Sequence, residues 1–191
     1  MRKQPSLYQK LKYKESFSKD MPKDYIVFDT ETTGTSSSAK IIEIGAIKYK
    51  NHEVVDEFQC FIDPEIYVPS FITKLTGITN HDVQGAPVFY EVYELFLNFI
   101  EDLPLVAHNA AFDVAMMESE CKEANLPPFA NSVIDTVTLA RRVIPKSACG
   151  NHQLSTLKDF FGLVAVSHRA VADCEVCATV YQYYCANRTT L

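Results

Sequence analysis

The chain has 191 residues, enough for one full domain, and its 47% apolar and 22% charged residues exclude a disordered chain, a collagen and a coiled coil. The net charge of −6 is uneven, because residues 1–24 carry seven Lys and Arg against three Asp and Glu, whereas residues 25–191 carry eleven against twenty-one. An acidic body argues against phosphate binding by bulk charge, unless some of its carboxylates hold divalent metal ions.

The N-terminal region is basic and lacks the apolar core of a secretory signal, and no apolar stretch approaches the roughly 18 residues of a membrane span. We therefore expect a cytoplasmic protein, without a membrane partner, whose six cysteines are reduced thiols. Residues 1–24 are predicted to form a basic extension, followed by a domain at residues 25–191. Within the extension, Gln4–Tyr8 faintly resembles a sliding-clamp-binding peptide, and a proline-started helix or a flexible arm is the alternative.

Short β-rich runs separated by turn residues open the domain and predict an antiparallel meander. The three predicted strands are Tyr25–Thr30, Ile41–Tyr49 and Glu53–Ile62. Helices and short strands then alternate. The predicted helices are Pro69–Thr76, Pro87–Ile100, Ala110–Ala124, 136–143, 153–161 and 169–186, and the predicted strands are Pro104–Ala107 and Ser132–Asp135. This order predicts an α/β domain with a mixed five-stranded sheet, in which the meander is joined by parallel strands and flanked by helices.

Two carboxylates stand close together at the end of the first predicted strand, in the segment Asp29–Gly34. Because alternate residues of a strand point to the same side, Asp29 and Glu31 should lie side by side. Two like charges this close resist joint ionisation unless a cation lies between them, and carboxylates are the ligands that Mg²⁺ and Mn²⁺ prefer. A solvated strand end that leads into a loop is the alternative.

Two further carboxylates lie near the starts of predicted helices. Asp113 lies in the first turn of its helix, near the carboxyl edge of the sheet, and helix capping by Asp113 or by Asn109 is the alternative. Asp173 lies in the first turns of the last helix, and His168 lies in the loop before it. Their five-residue offset lets both side chains face one cleft. An ordinary polar histidine is the alternative for His168, whereas a carboxylate in a mostly apolar helix needs a partner.

Cysteines offer a rival metal site. Cys174 and Cys177 have the C-x-x-C spacing, and Cys149 and His152 precede them, so that these four residues could be zinc ligands. Because the helix around Cys174 and Cys177 is mostly apolar, small buried thiols are the simpler interpretation.

Taken in this order, the three acidic segments resemble the motifs of the DEDDh exonucleases, a family with a ribonuclease H-like fold. The resemblance covers about residues 24–187 and is closest to the bacterial proofreading exonucleases, namely the DNA polymerase III epsilon subunit and the exonuclease domain of the Gram-positive replicative polymerase. Supporting stretches are Ile42–Ala46, Leu75–Thr79 and Ile134–Thr136. The resemblance implies 3′→5′ hydrolysis of single-stranded or frayed DNA, with release of nucleoside 5′-monophosphates, in proofreading or repair.

The resemblance also implies roles for single residues. Asp29 would bridge two Mg²⁺ or Mn²⁺ ions. Glu31 and Asp173 would complete the site that holds the attacking water, and Asp113 would serve the second ion, largely through water. His168 would act as the general base on that water.

Further positions would bind the substrate by the same resemblance. Thr32, Leu75, Thr76 and Ile78 would cradle the terminal nucleotide, and Asn109 would lie near the scissile phosphate. Leu75 and Ile78 could instead belong to the core. The implied partners are DNA and a DNA polymerase or sliding clamp. RNA is the alternative substrate, and a non-catalytic subunit that binds nucleic-acid ends or a clamp is the alternative function. The presence of every expected carboxylate and of the histidine favours the enzyme.

Overall fold

The computed structural model describes residues 21–164 and 168–188. The strands are β1 (Tyr25–Thr32), β2 (Ile41–Lys50), β3 (Glu53–Phe61), β4 (Leu105–Ala107) and β5 (Val133–Asp135). The helices are α1 (Ser70–Thr76), α2 (Asn80–Val83), α3 (Phe89–Ile100), α4 (Ala111–Glu123), α5 (Thr136–Val143), α6 (Lys146–Cys149), α7 (Leu154–Phe160) and α8 (Ala170–Asn187).

The five strands form one mixed sheet in the order β3-β2-β1-β4-β5. β1 and β3 pair antiparallel with β2, whereas β4 pairs parallel with both β1 and β5. The predicted α/β class with a mixed five-stranded sheet is therefore confirmed. Because β1, β4 and β5 run in the same direction, their carboxyl ends meet at one edge of the sheet, where functional side chains collect in such folds.

Helices cover both faces of the sheet. Ile26 and Phe28 of β1 belong to a buried cluster with α3 and α4, whereas Tyr25 and Val27 belong to a cluster with α5 and α8. This alternation explains the continuous apolar run in β1, because a strand buried on both faces needs apolar residues on both. The same alternation places Asp29 on the face of the sheet that α8 covers.

Every strand and helix predicted for residues 25–191 is present, with ends that differ by at most two residues. Two short helices, α2 and α6, were not predicted, because four residues are too few to show a helical period. None of the helices in the described ranges combines the length and the apolar character needed to cross a bilayer.

The first described residues contact the domain. Met21 is buried in the cluster that contains Tyr25 and Tyr181, and the Tyr181 hydroxyl donates to the Pro22 carbonyl at 2.7 Å. Among the described residues, packing on the domain therefore extends to Met21, four positions before the predicted start of the domain at Tyr25. The remainder of the basic extension, including Gln4–Tyr8, lies outside the described residues.

Candidate active site

The end of β1 and the start of α8 bring three potential metal ligands together. One ligand atom each from Glu31, His168 and Asp173 lies within 4.8 Å of the others. The backbone N–H of His168 donates to Oδ2 of Asp173 at 3.0 Å, and His168 has a φ of 61° in the left-handed region that non-glycine residues seldom adopt. The loop before α8 is thus turned back onto its own helix, and the first and third acidic segments share one cleft.

Asp113 reaches the same region from α4 through two hydrogen bonds. The backbone N–H and the hydroxyl of Thr30 both donate to Oδ1 of Asp113, at 3.1 and 2.7 Å. The Thr30 N–H is available because β1 continues to Thr32, whereas its pairing with β4 ends at Val27. The Asp113 carboxylate is therefore fixed against β1 through Oδ1.

Asp113 lies in the first turn of α4, where a carboxylate also interacts favourably with the helix dipole, whereas side-chain capping by Asn109 is not observed. The N-cap residue of α4 is Ala110, which makes no side-chain capping bond. Asn109 has a φ of 61°, and its backbone N–H donates to Oδ1 of Asp135 at 3.1 Å.

Burial and mutual repulsion perturb the carboxylates of this cluster. Burial raises the pKa of Asp29 well above its ordinary value, and the charges of Asp113, Glu31 and Asp173 raise it further. Burial also raises the pKa of Glu31 to about 8, and the charges of Asp173 and Glu43 add to the effect. The pKa of Asp113 and that of Asp173 are likewise raised, chiefly by burial. A crowded set of oxygen donors that resists joint ionisation fits a hard divalent cation, which would replace the protons.

A fifth carboxylate, Glu43 in β2, anchors the start of α8. Its side chain is 0% exposed. Oε1 accepts hydrogen bonds from Nε2 of Gln59 at 2.7 Å and from Nη2 of Arg169 at 3.1 Å, and Oε2 accepts one from the Ala170 N–H at 3.2 Å. Sequence analysis assigned no role to this residue. Its signal was a lone charge within the otherwise apolar run Ile41–Ile47, because a charged side chain requires partners when it is buried.

An apolar cavity of about 270 Å³ opens beside Glu31. Phe71 and Leu75 of α1 are 62% and 51% exposed and form one wall, while Phe112 and Thr32 contribute to the rest of the lining. Phe71 was missed, although its position one helical turn before Leu75 is a signal that both side chains share a helix face.

The predicted nucleotide-binding residues lie in three different environments. Thr32, Leu75 and Thr76 line the apolar cavity. Ile78 is 1% exposed and belongs to a small core cluster, so that its alternative as a core residue is correct. Asn109 is exposed and lines a different cavity.

The cysteines and His152 do not make the contacts that a shared zinc ion would require. Sγ of Cys174 lies 3.5 Å from a carbonyl of β2, and Sγ of Cys177 lies 3.4 Å from Oγ1 of Thr136. Nε2 of His152 lies 2.9 Å from a backbone carbonyl. In the described part of the chain, these residues do not converge on one point as metal ligands.

Comparison with known proteins links the chain to nucleases. The family model RNase_T, described as an exonuclease, matches residues 26–181. The PolC-type DNA polymerase III of Caldanaerobacter subterraneus subsp. tengcongensis is 44% identical over 160 residues, which are 83% of this chain and 11% of that protein. The PolC-type DNA polymerase III of Clostridium perfringens is 40% identical over 173 residues, 90% of this chain and 12% of that protein. The chain therefore spans about a tenth of the length of the curated relatives that it matches.

Solved structures with the same fold are also nucleases. The nuclease domain of 3′hExo, a DEDDh family member bound to rAMP, superposes with a TM-score of 0.75 at 20% identity, covering 89% of this chain and 95% of that one. Exonuclease X in complex with 5′ overhanging duplex DNA gives a TM-score of 0.68 at 23% identity, covering 87% and 92%. These likenesses confirm the predicted ribonuclease H-like fold.

Proposed function

The chain belongs to the exonuclease family RNase_T, and on that premise we propose that it hydrolyses phosphodiester bonds from the 3′ end of single-stranded or frayed DNA and releases nucleoside 5′-monophosphates. The observation that carries the proposal is the convergence of Glu31, His168 and Asp173 within 4.8 Å. Asp29 and Asp113 belong to the same electrostatic cluster, since their charges repel one another.

DNA is the favoured substrate because the relatives at 40–44% identity are named as DNA polymerases. We propose a proofreading or repair role in the cytoplasm, with a DNA polymerase or a sliding clamp as partner. Residues 1–24 would be a basic extension of the exonuclease domain at residues 25–191, and a cationic segment would suit an acidic or nucleic-acid partner. RNA is the second candidate, because one structural neighbour holds rAMP.

Exonucleases of this family are metal-dependent, and Asp29, Glu31, Asp113 and Asp173 are the residues that would hold the cofactor. We propose two Mg²⁺ or Mn²⁺ ions, which carboxylate oxygens bind well. When bound, such ions neutralise the phosphate, activate a water molecule and stabilise the leaving oxygen.

The residues of the cleft would have different roles in the reaction. The imidazole of His168 would accept the proton of the attacking water, and a histidine suits this role at neutral pH. Asp173 holds the His168 backbone, Thr30 holds Asp113, and Glu43 holds the start of α8. These contacts fix the reacting groups before substrate arrives, which lowers the cost of assembling them in the transition state.

The apolar cavity would bind the terminal nucleotide. Phe71, Leu75 and Phe112 offer apolar surface to a base, and Thr32 lies at the polar end next to Glu31. A base-stacking surface beside a carboxylate cluster would hold an unpaired end without reading its sequence. Frayed ends should therefore be preferred, because unpairing the terminal base costs less there.

The test is a digestion of 5′-labelled single-stranded DNA and RNA of equal sequence with Mg²⁺, Mn²⁺ or EDTA. We expect a metal-dependent ladder that shortens from the 3′ end, with DNA degraded faster. Activity that survives excess EDTA, or label released first as a mononucleotide, would contradict the proposal. Faster digestion of RNA would support the exoribonuclease alternative.

A further inference from the structure

A second cavity, of about 410 Å³, differs from the first in its polar and cationic lining. His108 and Asn109 contribute from the segment after β4, Arg141 from α5, and His152 and Gln153 from the segment before α7. Imidazole, amide and guanidinium groups are hydrogen-bonding groups, so that the cavity suits a polar, anionic ligand.

The two cavities open along the same edge of the sheet. The apolar cavity is lined by the end of β1, by α1 and by Phe112 of α4. Asn109 follows β4, and Arg141 lies in the helix that follows β5, so that the polar cavity lies on the β4 side of β1. A strand whose scissile phosphate lies at the carboxylates, with its terminal base in the apolar cavity, can therefore continue towards the polar cavity.

Two histidines fix the wall of the polar cavity. Nε2 of His108 lies 2.9 Å from the carbonyl of His152, and its Nδ1 lies 2.9 Å from Oγ1 of Thr136. Nε2 of His152 lies 2.9 Å from the carbonyl of Ile144. A carbonyl can only accept, so that both Nε2 atoms carry the donated proton. The segment before α7 is thereby tied to β4 and to α5.

Three other side chains of the cavity remain available to a ligand. In the described ranges, the structure gives no hydrogen bond or ion pair to the guanidinium of Arg141 or to the side-chain amides of Asn109 and Gln153. Residues 25–191 carry eleven Lys and Arg against twenty-one Asp and Glu. An exposed guanidinium in the lining of this cavity offers a local attraction for phosphate that the overall charge does not supply.

We propose that the polar cavity binds phosphodiester groups of the substrate strand upstream of its terminal nucleotide, with the Arg141 guanidinium as the cation and the Asn109 and Gln153 amides as hydrogen-bond donors. The planar guanidinium matches two phosphate oxygens at once. This inference rests on the proposed function, because it assumes that the ligand is a nucleic-acid strand held at the carboxylates.

The kinetic test compares Arg141→Gln with Arg142→Gln, a matched control with the same charge change at a neighbouring position that does not line the cavity. The substrates are an octathymidylate and the p-nitrophenyl ester of thymidine 5′-monophosphate, which has no upstream phosphate. We expect Arg141→Gln to raise KM for the octathymidylate about 10-fold and to leave the ester unchanged. Equal effects of the two variants would overturn the inference, as would equal losses on both substrates.

A binding test does not depend on hydrolysis. Anisotropy of a labelled octathymidylate whose 3′-terminal linkage is a phosphorothioate gives the dissociation constant at several salt concentrations. Loss of one phosphate contact should reduce the slope of log Kd against log salt by about 0.7 in Arg141→Gln and not in Arg142→Gln. If the wild type binds DNA but hydrolyses neither substrate, the proposed function is wrong. If the slope of log Kd against log salt is unchanged in both variants, the proposed phosphate site is wrong.

Discussion

Gly45 in β2 and Ala170 at the start of α8 lie so close that a Cβ atom at position 45 would be 2.7 Å from the Cβ of Ala170 and 2.6 Å from the nitrogen of Val171. Carbon atoms do not pack this closely, so that the missing side chain sets how deeply α8 docks on the sheet. His168 and Asp173 flank this contact, and their positions relative to β1 depend on it.

We expect Gly45→Ala to lower the free energy of unfolding by about 2 kcal/mol, because the added methyl group must displace α8 or bend β2. The displacement should also lower exonuclease activity. Gly34→Ala is the matched control for stability, since the nearest atom to its Cβ would be 4.0 Å away. Denaturant unfolding of both variants provides the measurement, and a fully stable, fully active Gly45→Ala protein would contradict the role of this contact.

The sequence predicted the fold and the acidic residues because both depend on local patterns. Strands and helices follow from periods of two and 3.6 residues, and Asp29 and Glu31 are paired by strand geometry alone. The resemblance to the DEDDh motifs then indicated roles for Asp113, His168 and Asp173. Local pattern alone would have explained Asp113 as a helix cap and His168 as an ordinary polar residue, and would have required only some partner for Asp173.

The unpredicted parts depend on contacts between distant segments. Glu43 and Arg169 pair across 126 positions of the chain, and no local pattern announces such a pair. Ile78 was predicted to bind nucleotide, but the turn after α1 directs it into the core, whereas Leu75 stays 51% exposed. Phe71 becomes a candidate nucleotide-binding residue only because the structure shows that it lines the apolar cavity.

The stability of the metal-free protein should fall as pH rises from about 4.5 to about 8. The folded pKa of Glu31 is about 8 against an ordinary value of 4.5, so that the folded state binds this proton more tightly than the unfolded state does. The stabilisation that this proton provides is complete below the ordinary pKa of 4.5. It is lost as the pH rises through the folded-state pKa of about 8. We expect the melting temperature in EDTA to decline over this range, and Mn²⁺ to reduce the decline by replacing the proton. Identical pH profiles with EDTA and Mn²⁺ would argue against a cation at this cluster.

Asp29→Asn should separate activity from stability. Removal of one charge from the repelling cluster should raise the metal-free unfolding free energy by about 1 kcal/mol, whereas loss of a metal ligand should reduce turnover at least ~10³-fold. Asp56→Asn makes the same change on the exposed part of β3 and should alter neither quantity strongly. Thermal unfolding in EDTA and the oligonucleotide assay measure the two effects. An active Asp29→Asn protein would refute its assignment as a ligand.

Phe71→Ala should weaken the binding of a terminal base. Stacking of a base on an aromatic ring is worth roughly 1–3 kcal/mol, so that KM for single-stranded DNA should rise about 10-fold or more while kcat changes little. The p-nitrophenyl ester should show the same rise, because its base would occupy the same cavity. Tyr90→Ala removes another exposed aromatic side chain, 57% exposed and outside this cavity, and should leave KM unchanged. A KM for Phe71→Ala that matches the wild type would exclude the stacking role.

His168→Ala distinguishes a general base from a metal ligand. Loss of a positioned proton acceptor should lower turnover about 10²- to 10⁴-fold. If His168 is a general base and not a metal ligand, its removal leaves the cation site intact. Mn²⁺ should then raise the melting temperature of His168→Ala as it does that of the wild type. His81→Ala, at a solvent-exposed position in α2, controls for the loss of a histidine as such. If Mn²⁺ no longer stabilises His168→Ala, the imidazole is a ligand, and the proton acceptor must be another group in the cleft.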